Sequence, residues 1–337
     1  MKKQLIFASA ALFAVGTVFA QSNMAYTDQS GAGTNSSTVD QIGMSNNSNV
    51  DQIATSASYD PNTSDVNQTG DYNNSTVDQN GAGNNSALTD QTGDWNYSHQ
   101  NSYGANNEVY ATQVGDYNQA SNHQSGSNNM ASSNQTGDAN TSHTDQYFYF
   151  MYSGSNTADY NTATVDQMGN YNGSGIYQQG DYNTADVDQT GDGHSSSISQ
   201  YGNTNDADVD QYGGNYNIST VSQNGNLNTA TADQDGTMNT SYIYQNGNSN
   251  DADLAQDGDD NDSWIDQVGG SNDADVMQNG DGNWSDVDQM GDANTATTTQ
   301  TGNSNTSDVY QGGNSNGAYT TQTGNSNYSW INQTTGS

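Results

Sequence analysis

Short runs recur along this chain in which every second residue is small, apolar or Gln and the residues between are polar or charged. Asp206-Ala207-Asp208-Val209-Asp210-Gln211 is typical. Side chains alternate across an extended strand, so Ala207, Val209 and Gln211 would share one face and the three Asp the other. A charged face needs water, which makes the Ala/Val/Gln face the predicted interior. Each run is followed by Gly-x-x-Asn, often Gly-Asp-Tyr-Asn. Gly permits positive φ and Asn can bond nearby backbone, so this segment is predicted to turn. No helical spacing of apolar residues occurs beyond the first 20 residues.

The runs keep a strict period. Gln recurs at Gln167, Gln178, Gln189, Gln200, Gln211, Gln223, Gln234, Gln245, Gln256, Gln267, Gln278, Gln289, Gln300, Gln311, Gln322 and Gln333, in steps of 11 with one step of 12 at Gly213-Gly214. The small residue alternates between two classes: Ala163, Ala185 and Ala207 in one, Ser174, Ser196 and Ser219 in the other, through to Ser329. The repeating unit is therefore about 22 residues with two unlike halves. The N-terminal half follows the same rule more loosely, with Ser102 once standing in for Gln. Two irregular insertions are expected. One is near 53–63, where Pro61, the single proline, calls for a loop; the other is near 147–156, an aromatic run (YFYFMY) followed by a degenerate half-repeat with Asn156 in the Gln slot.

Strand, turn, strand, turn closes one flat coil. A single coil cannot cover its inner face, but stacked coils can, so the predicted fold is an all-β solenoid of stacked strand-turn-strand coils. Stacking sets equivalent residues about 4.8 Å apart. An inward Gln amide can then donate to one neighbouring coil and accept from the other, which satisfies buried polar groups and fixes the register.

Composition narrows the function classes. Mean hydropathy is -0.99 and only 29% of residues are hydrophobic, which in an aperiodic chain would read as disorder. The formal net charge is -36; removing Lys2 and Lys3, the two basic residues, leaves -38. Without cations, nucleic-acid binding and attraction to anionic membranes are excluded. There are no cysteines for disulfides or thiolate sites. Lys2-Lys3, an apolar stretch from Leu5 to Phe19 and Val18-Phe19-Ala20 read as a signal peptide over 1–20, leaving 21–337 as the repeat region and implying secretion. No second apolar run could span a membrane.

The repeat resembles that of the curlin (curli fibre subunit) family, Ser-x5-Gln-x-Gly-x-x-Asn-x-Ala-x3-Gln. Gln178-x-Gly180-x-x-Asn183-x-Ala185-x3-Gln189 matches its second part, as do the segments from Gln245, Gln267 and Gln289. The opening Ser is replaced by Asn, as at Asn239. The resemblance implies a subunit of extracellular amyloid fibres (fimbriae) of a Gram-negative bacterium, acting in adhesion and biofilm. It also implies partners: other copies of the chain, a nucleator subunit and an outer-membrane secretion pore. The family's basic gatekeeping and nucleating residues have no counterpart here, which argues against a nucleator role.

The remaining chemistry is sparse. No nucleophile–base–orienter set is discernible, so the chain reads as non-enzymatic. His99, His123 and His143 fall at outward positions, assigned to unrelated coils, and no cofactor is expected. Outward Asp186 should stack on Asp208, Asp188 on Asp210, Asp251 on Asp273 and Asp253 on Asp275. These columns are either a solvated acidic face or a ladder for divalent cations. Outward Thr295, Thr297, Thr299, Thr162 and Thr164 leave open an alternative, a soluble β-solenoid with an ice-binding or cation-binding face.

Overall fold

The computed structural model describes residues 22–55, 61–147 and 158–334. They form a parallel β-solenoid whose consecutive strands alternate between two sheets, one of 14 strands and one of 13. The first sheet opens with Met24–Gly31 and closes with Tyr328–Thr334. The second runs from Ser36–Ile42 to Gly317–Thr323. Equivalent residues stack in register: Ala185 on Ala207, Val187 on Val209 and Gln189 on Gln211 in the second sheet, Ser174 on Ser196 and Ile176 on Ile198 in the first. The strand Asp206–Gly213 shows the alternation, with Ala207, Val209 and Gln211 buried and the Asp exposed or half-buried.

The core lies between the two sheets and differs along the axis. From Ala163 to Ala318 it is one apolar cluster, in which Ile176, Ile198, Ile243 and Ile265 of the first sheet are matched with Val187, Val209 and Leu254 of the second. The larger Ile shares its strand with a small Ser, so the two halves differ in where they place volume. A smaller cluster, Val50, Val66, Val77 and Ala87, lies near the N-terminal end. Between them the β-branched slot holds polar residues: Thr89, Gln100, Asn122, Ser133 and Thr144, all buried. Several of their polar atoms find partners in this interior, while Gln100 Oε1 and Thr144 Oγ1 are buried without one. Ser133 Oγ donates to Asn122 Oδ1 (2.9 Å), Asn122 Nδ2 to the Tyr110 carbonyl (3.0 Å) and Gln100 Nε2 to the Leu88 carbonyl (2.6 Å).

The extra residue at Gly213-Gly214 is absorbed in a turn, because Gln211 still stacks on Gln234. The loop expected from Ile53 to Asn62 is narrower than the sequence suggested. Ile53 and Ala54 complete the strand Asn47–Ala54, and Asn62 is fully buried beneath Asn85. The half-repeat assigned to Asn156 adds no strand among the described residues. Thr141–Gln146 of the first sheet is followed among the described residues by Thr162–Met168 of the second, which pairs directly with Met130–Thr136, so no further half-coil stands between those strands. Ala158 re-enters in the Gly slot, its carbonyl packed against Gly126. The leader 1–20, the aromatic run beyond Tyr147 and Asn156 itself lie outside the described residues.

Candidate functional site

The inward Gln side chains form two ladders along the axis. In the second sheet the ladder is continuous from Gln41 to Gln322; within it Gln167 Nε2 donates to Gln189 Oε1, Gln189 to Gln211 and Gln211 to Gln234, each at 2.8 Å. The second Nε2 hydrogen crosses to the start of the preceding strand in the opposite sheet, as from Gln178 to the Thr162 carbonyl (2.9 Å). One amide, with the bond it accepts, thus links its own strand to three others. In the first sheet the ladder breaks where Ser102 replaces Gln: Gln79 donates only to the Thr63 carbonyl, and Gln124 Oε1 is buried without a donor. It resumes through Gln124, Gln146, Gln178 and Gln200 to Gln333.

The turns carry a second pair of ladders. The Asn of Gly-x-x-Asn does not bond mainly within its own turn, as the sequence suggested, but to neighbouring coils. Asn73 Oδ1 accepts the Asn96 N–H (3.0 Å), while Asn73 Nδ2 donates to the Gly93 carbonyl (2.7 Å). The residue after Gly does likewise: Asp94 Oδ1 accepts the Asp71 N–H at 2.7 Å. An oxygen acceptor is needed there, which explains the recurring Gly-Asp and Gly-Asn. His194 occupies an Asn slot, fully buried, with Nδ1 accepting the Asn217 N–H (3.2 Å); counting three residues from Gly191 would have found it. The residue before this Asn holds the left-handed region even when it is not Gly, as at Tyr72, Trp95 and Tyr117. Their rings stack outside the turn, Tyr72 on Trp95 at 4.4 Å and Trp95 on Tyr117 at 6.2 Å.

The register stacks Asp186 on Asp208 and Asp188 on Asp210, and Asp251 on Asp273 and Asp253 on Asp275. Thr229 and Thr231 separate the two groups. Among the described residues no group of three or more His, Asp or Glu converges in a geometry that could hold a metal ion. The Thr columns are short: Thr295 and Thr297 lie between Asp273 and Asp275 on one side and Gly317 and Tyr319 on the other, while Thr299 lies between Met277 and Thr321, and Thr162 stacks on Thr184.

His99, His123 and His143 are not in unrelated coils. They sit on three consecutive strands of the first sheet, with ring centroids 5.0 and 5.9 Å apart. Asp145 lies against two of them, its Oδ1 3.1 Å from His123 Nδ1 and its Oδ2 hydrogen-bonded to His143 Nε2 at 2.9 Å. Burial alone would raise the Asp145 carboxyl, but these contacts outweigh it and hold the group well below the usual carboxylate range.

Asp186, Asp210 and Asp286 have no His beside them. Burial, and then neighbouring Asp, push Asp186, Asp210 and Asp286 up to about 6. Eleven Asp are raised in this sense. The folded state therefore holds these protons more tightly than the unfolded chain, whose carboxyls titrate near 3.8. Stability should rise as pH falls through 6 and level off near 4. His99 and His194, pushed down mainly by burial, and Asp145, held low by its His neighbours, act in the opposite sense but are outnumbered. Thermal melts from pH 7 to pH 4 check this; a Tm that falls steadily over that range contradicts it.

Against known families, the chain matches the Curlin associated repeat in eight overlapping segments: 158–191, 180–213, 225–258, 239–269, 247–280, 258–290, 269–302 and 286–313. None of the curated proteins compared matches it. The matched region coincides with the continuous apolar core, and the coils with the polar interior lie before it.

Proposed function

We propose that this chain, which carries curlin-associated repeats, is a secreted structural subunit of curli-like extracellular amyloid fibres that serve adhesion and biofilm matrix. The observation that carries this reading is the complementarity of the two ends of the stack. Among the described residues, Met24–Gly31 and Ser36–Ile42 have no strand beyond them at one end, nor do Gly317–Thr323 and Tyr328–Thr334 at the other. Gln29 and Gln41 donate inward and leave Oε1 open. Gln322 and Gln333 accept from the preceding coil and donate only to backbone, leaving an Nε2 hydrogen open. One end accepts and the other donates, so copies join head to tail, a heterologous contact that extends without closing. Aligning Gln333 with Gln29 sets exposed Trp330 over exposed Tyr26, a ring pair of the kind already seen within the stack. Open strand edges favour such addition.

The purified full chain should convert to sedimenting fibres and be seeded by fragments of them; a chain that stays monomeric for days at high concentration contradicts the reading. By family analogy, its partners are further copies of itself, a separate nucleator and an outer-membrane pore. The acidic columns act in this account as a solvated face whose repulsion salt screens. Calcium chloride and sodium chloride at matched ionic strength should therefore speed assembly equally. Acceleration specific to calcium would instead assign Asp186/Asp208 and Asp251/Asp273 as a cation ladder.

A further inference from the structure

We propose that an open groove on the outer face of the first sheet binds alkylammonium groups, between indole walls and carboxylates. The groove, of about 310 Å³, is lined by Tyr242, Trp264, Asp266, Trp284, Asp286 and Asp288. It lies across three stacked strands, Thr240–Asn248, Asp262–Gly270 and Trp284–Met290. The register sets Tyr242 beside Trp264, Trp264 beside Asp286, and Asp266 beside Asp288. The two indoles do not stack as the turn aromatics do. Their centroids are 6.0 Å apart and their planes tilted by 47°, which leaves ring surface facing the groove.

The charge in the groove is unanswered. Asp266 Oδ1 is shielded from solvent and has no hydrogen-bond donor. Burial and mutual repulsion raise all three carboxyls. The chain has no Lys or Arg after Lys3 that could compensate them. At Asp145, two His supply that compensation; here a cation must come from outside.

The walls select which cation. A hard ion such as calcium requires six to eight oxygen ligands, and no metal-holding cluster exists among the described residues. Ring faces of Trp and Tyr attract organic cations electrostatically, Trp most strongly. An ammonium on an aliphatic stem can meet a carboxylate with its head and an indole with its methylenes. The acidic columns Asp186/Asp208 and Asp251/Asp273 lack this second feature, since their outward neighbours are Thr and Asp. The proposal is independent of whether the chain polymerises.

The test uses the full chain with Trp95→Phe and Trp330→Phe, so that only Trp264 and Trp284 report by fluorescence. Cadaverine, as a free amine, and N-acetyl-lysine methylamide, as a protein side chain, are titrated against sodium chloride of equal ionic strength and against neutral cellobiose. A saturable change with either amine, absent with sodium and cellobiose, is expected. Asp286→Asn combined with Asp288→Asn should weaken it at least tenfold. These isosteric changes relieve repulsion, so an unchanged thermal melt or a higher Tm verifies that the variant folds. No saturable change with either amine, equal affinity in the Asn variant, or saturation by cellobiose overturns the proposal.

Discussion

Gln211→Lys is expected to prevent folding of the coils around it, while Asp210→Lys, one residue away, leaves stability and assembly near those of the parent chain. Gln211 is fully buried. It accepts from Gln189 Nε2 and donates to Gln234 Oε1, both at 2.8 Å, and donates to the Ser195 carbonyl at 3.2 Å. Lys has no acceptor, so the Gln189 amide loses its partner at about 1–3 kcal/mol. The ammonium is itself buried without a counter-charge, at about 3–5 kcal/mol. The sum approaches the whole stability of an ordinary domain, about 5–15 kcal/mol. Asp210 is half-buried among Asp188, Asp208 and Asp233, so a cation there relieves repulsion. Its effect should stay within about 1 kcal/mol, with favourable sign. Denaturant midpoints and assembly half-times of the two variants measure the difference, and equal effects would contradict the assignment of inner and outer faces.

Gly225→Ala should cost nearly as much, and Gly175→Ala nothing. Gly225 holds φ +132°, and a Cβ added there would run into the carbonyl oxygen of Gly247 in the next coil. Backbone of that kind costs about 1–3 kcal/mol for a residue other than Gly. The collision also separates two coils whose turn bonds, from the Asn226 N–H to Asn248 Oδ1 and from Asn228 Nδ2 to the Gly247 carbonyl, depend on close approach. Loss of about 3 kcal/mol or more is expected. Because each coil touches only its neighbours, the damage should divide the stack into two melting units. Gly175 lies on an outer strand face, without positive φ and with nothing within 4 Å of an added Cβ. Ala there should be neutral or stabilising by about 0.4–1 kcal/mol through the unfolded chain. Urea denaturation of both variants reads the contrast.

The coil, its two halves and its inner face were legible because period and alternation are local facts. A run such as Asp206 to Gln211 can bury only one of its two faces. What escaped sequence reading depends on diagonal neighbours. His99, His123 and His143 stand three, one and three residues before Ser102, Gln124 and Gln146, so they belong to different slots. They meet only because adjacent columns lie beside each other in a sheet. Trp264 and Trp284 are 20 residues apart, not 22, and escaped for the same reason. Gln100, Asn122 and Thr144 stand in slots that elsewhere hold Ile or Val, but which of their polar atoms are satisfied depends on the opposite sheet: the Gln100 and Asn122 amides reach the Leu88 and Tyr110 carbonyls, and Thr144 Oγ1 finds no partner. The insertion after Tyr147 misled by spacing: Asn156 falls two residues before Ala158, as a ladder Gln would before its Gly, and Gln146 already holds that rung.

The most direct test of the central claim, that intact solenoids add end on end, is the axial repeat of the fibres by electron cryomicroscopy. The 14 strands of the first sheet, joined Gln333 to Gln29 at an inter-strand spacing of ~4.8 Å, predict one subunit per roughly 67 Å of fibre, with strands perpendicular to the axis. Subunits packed side by side, or a repeat of a single strand spacing per chain, would contradict it.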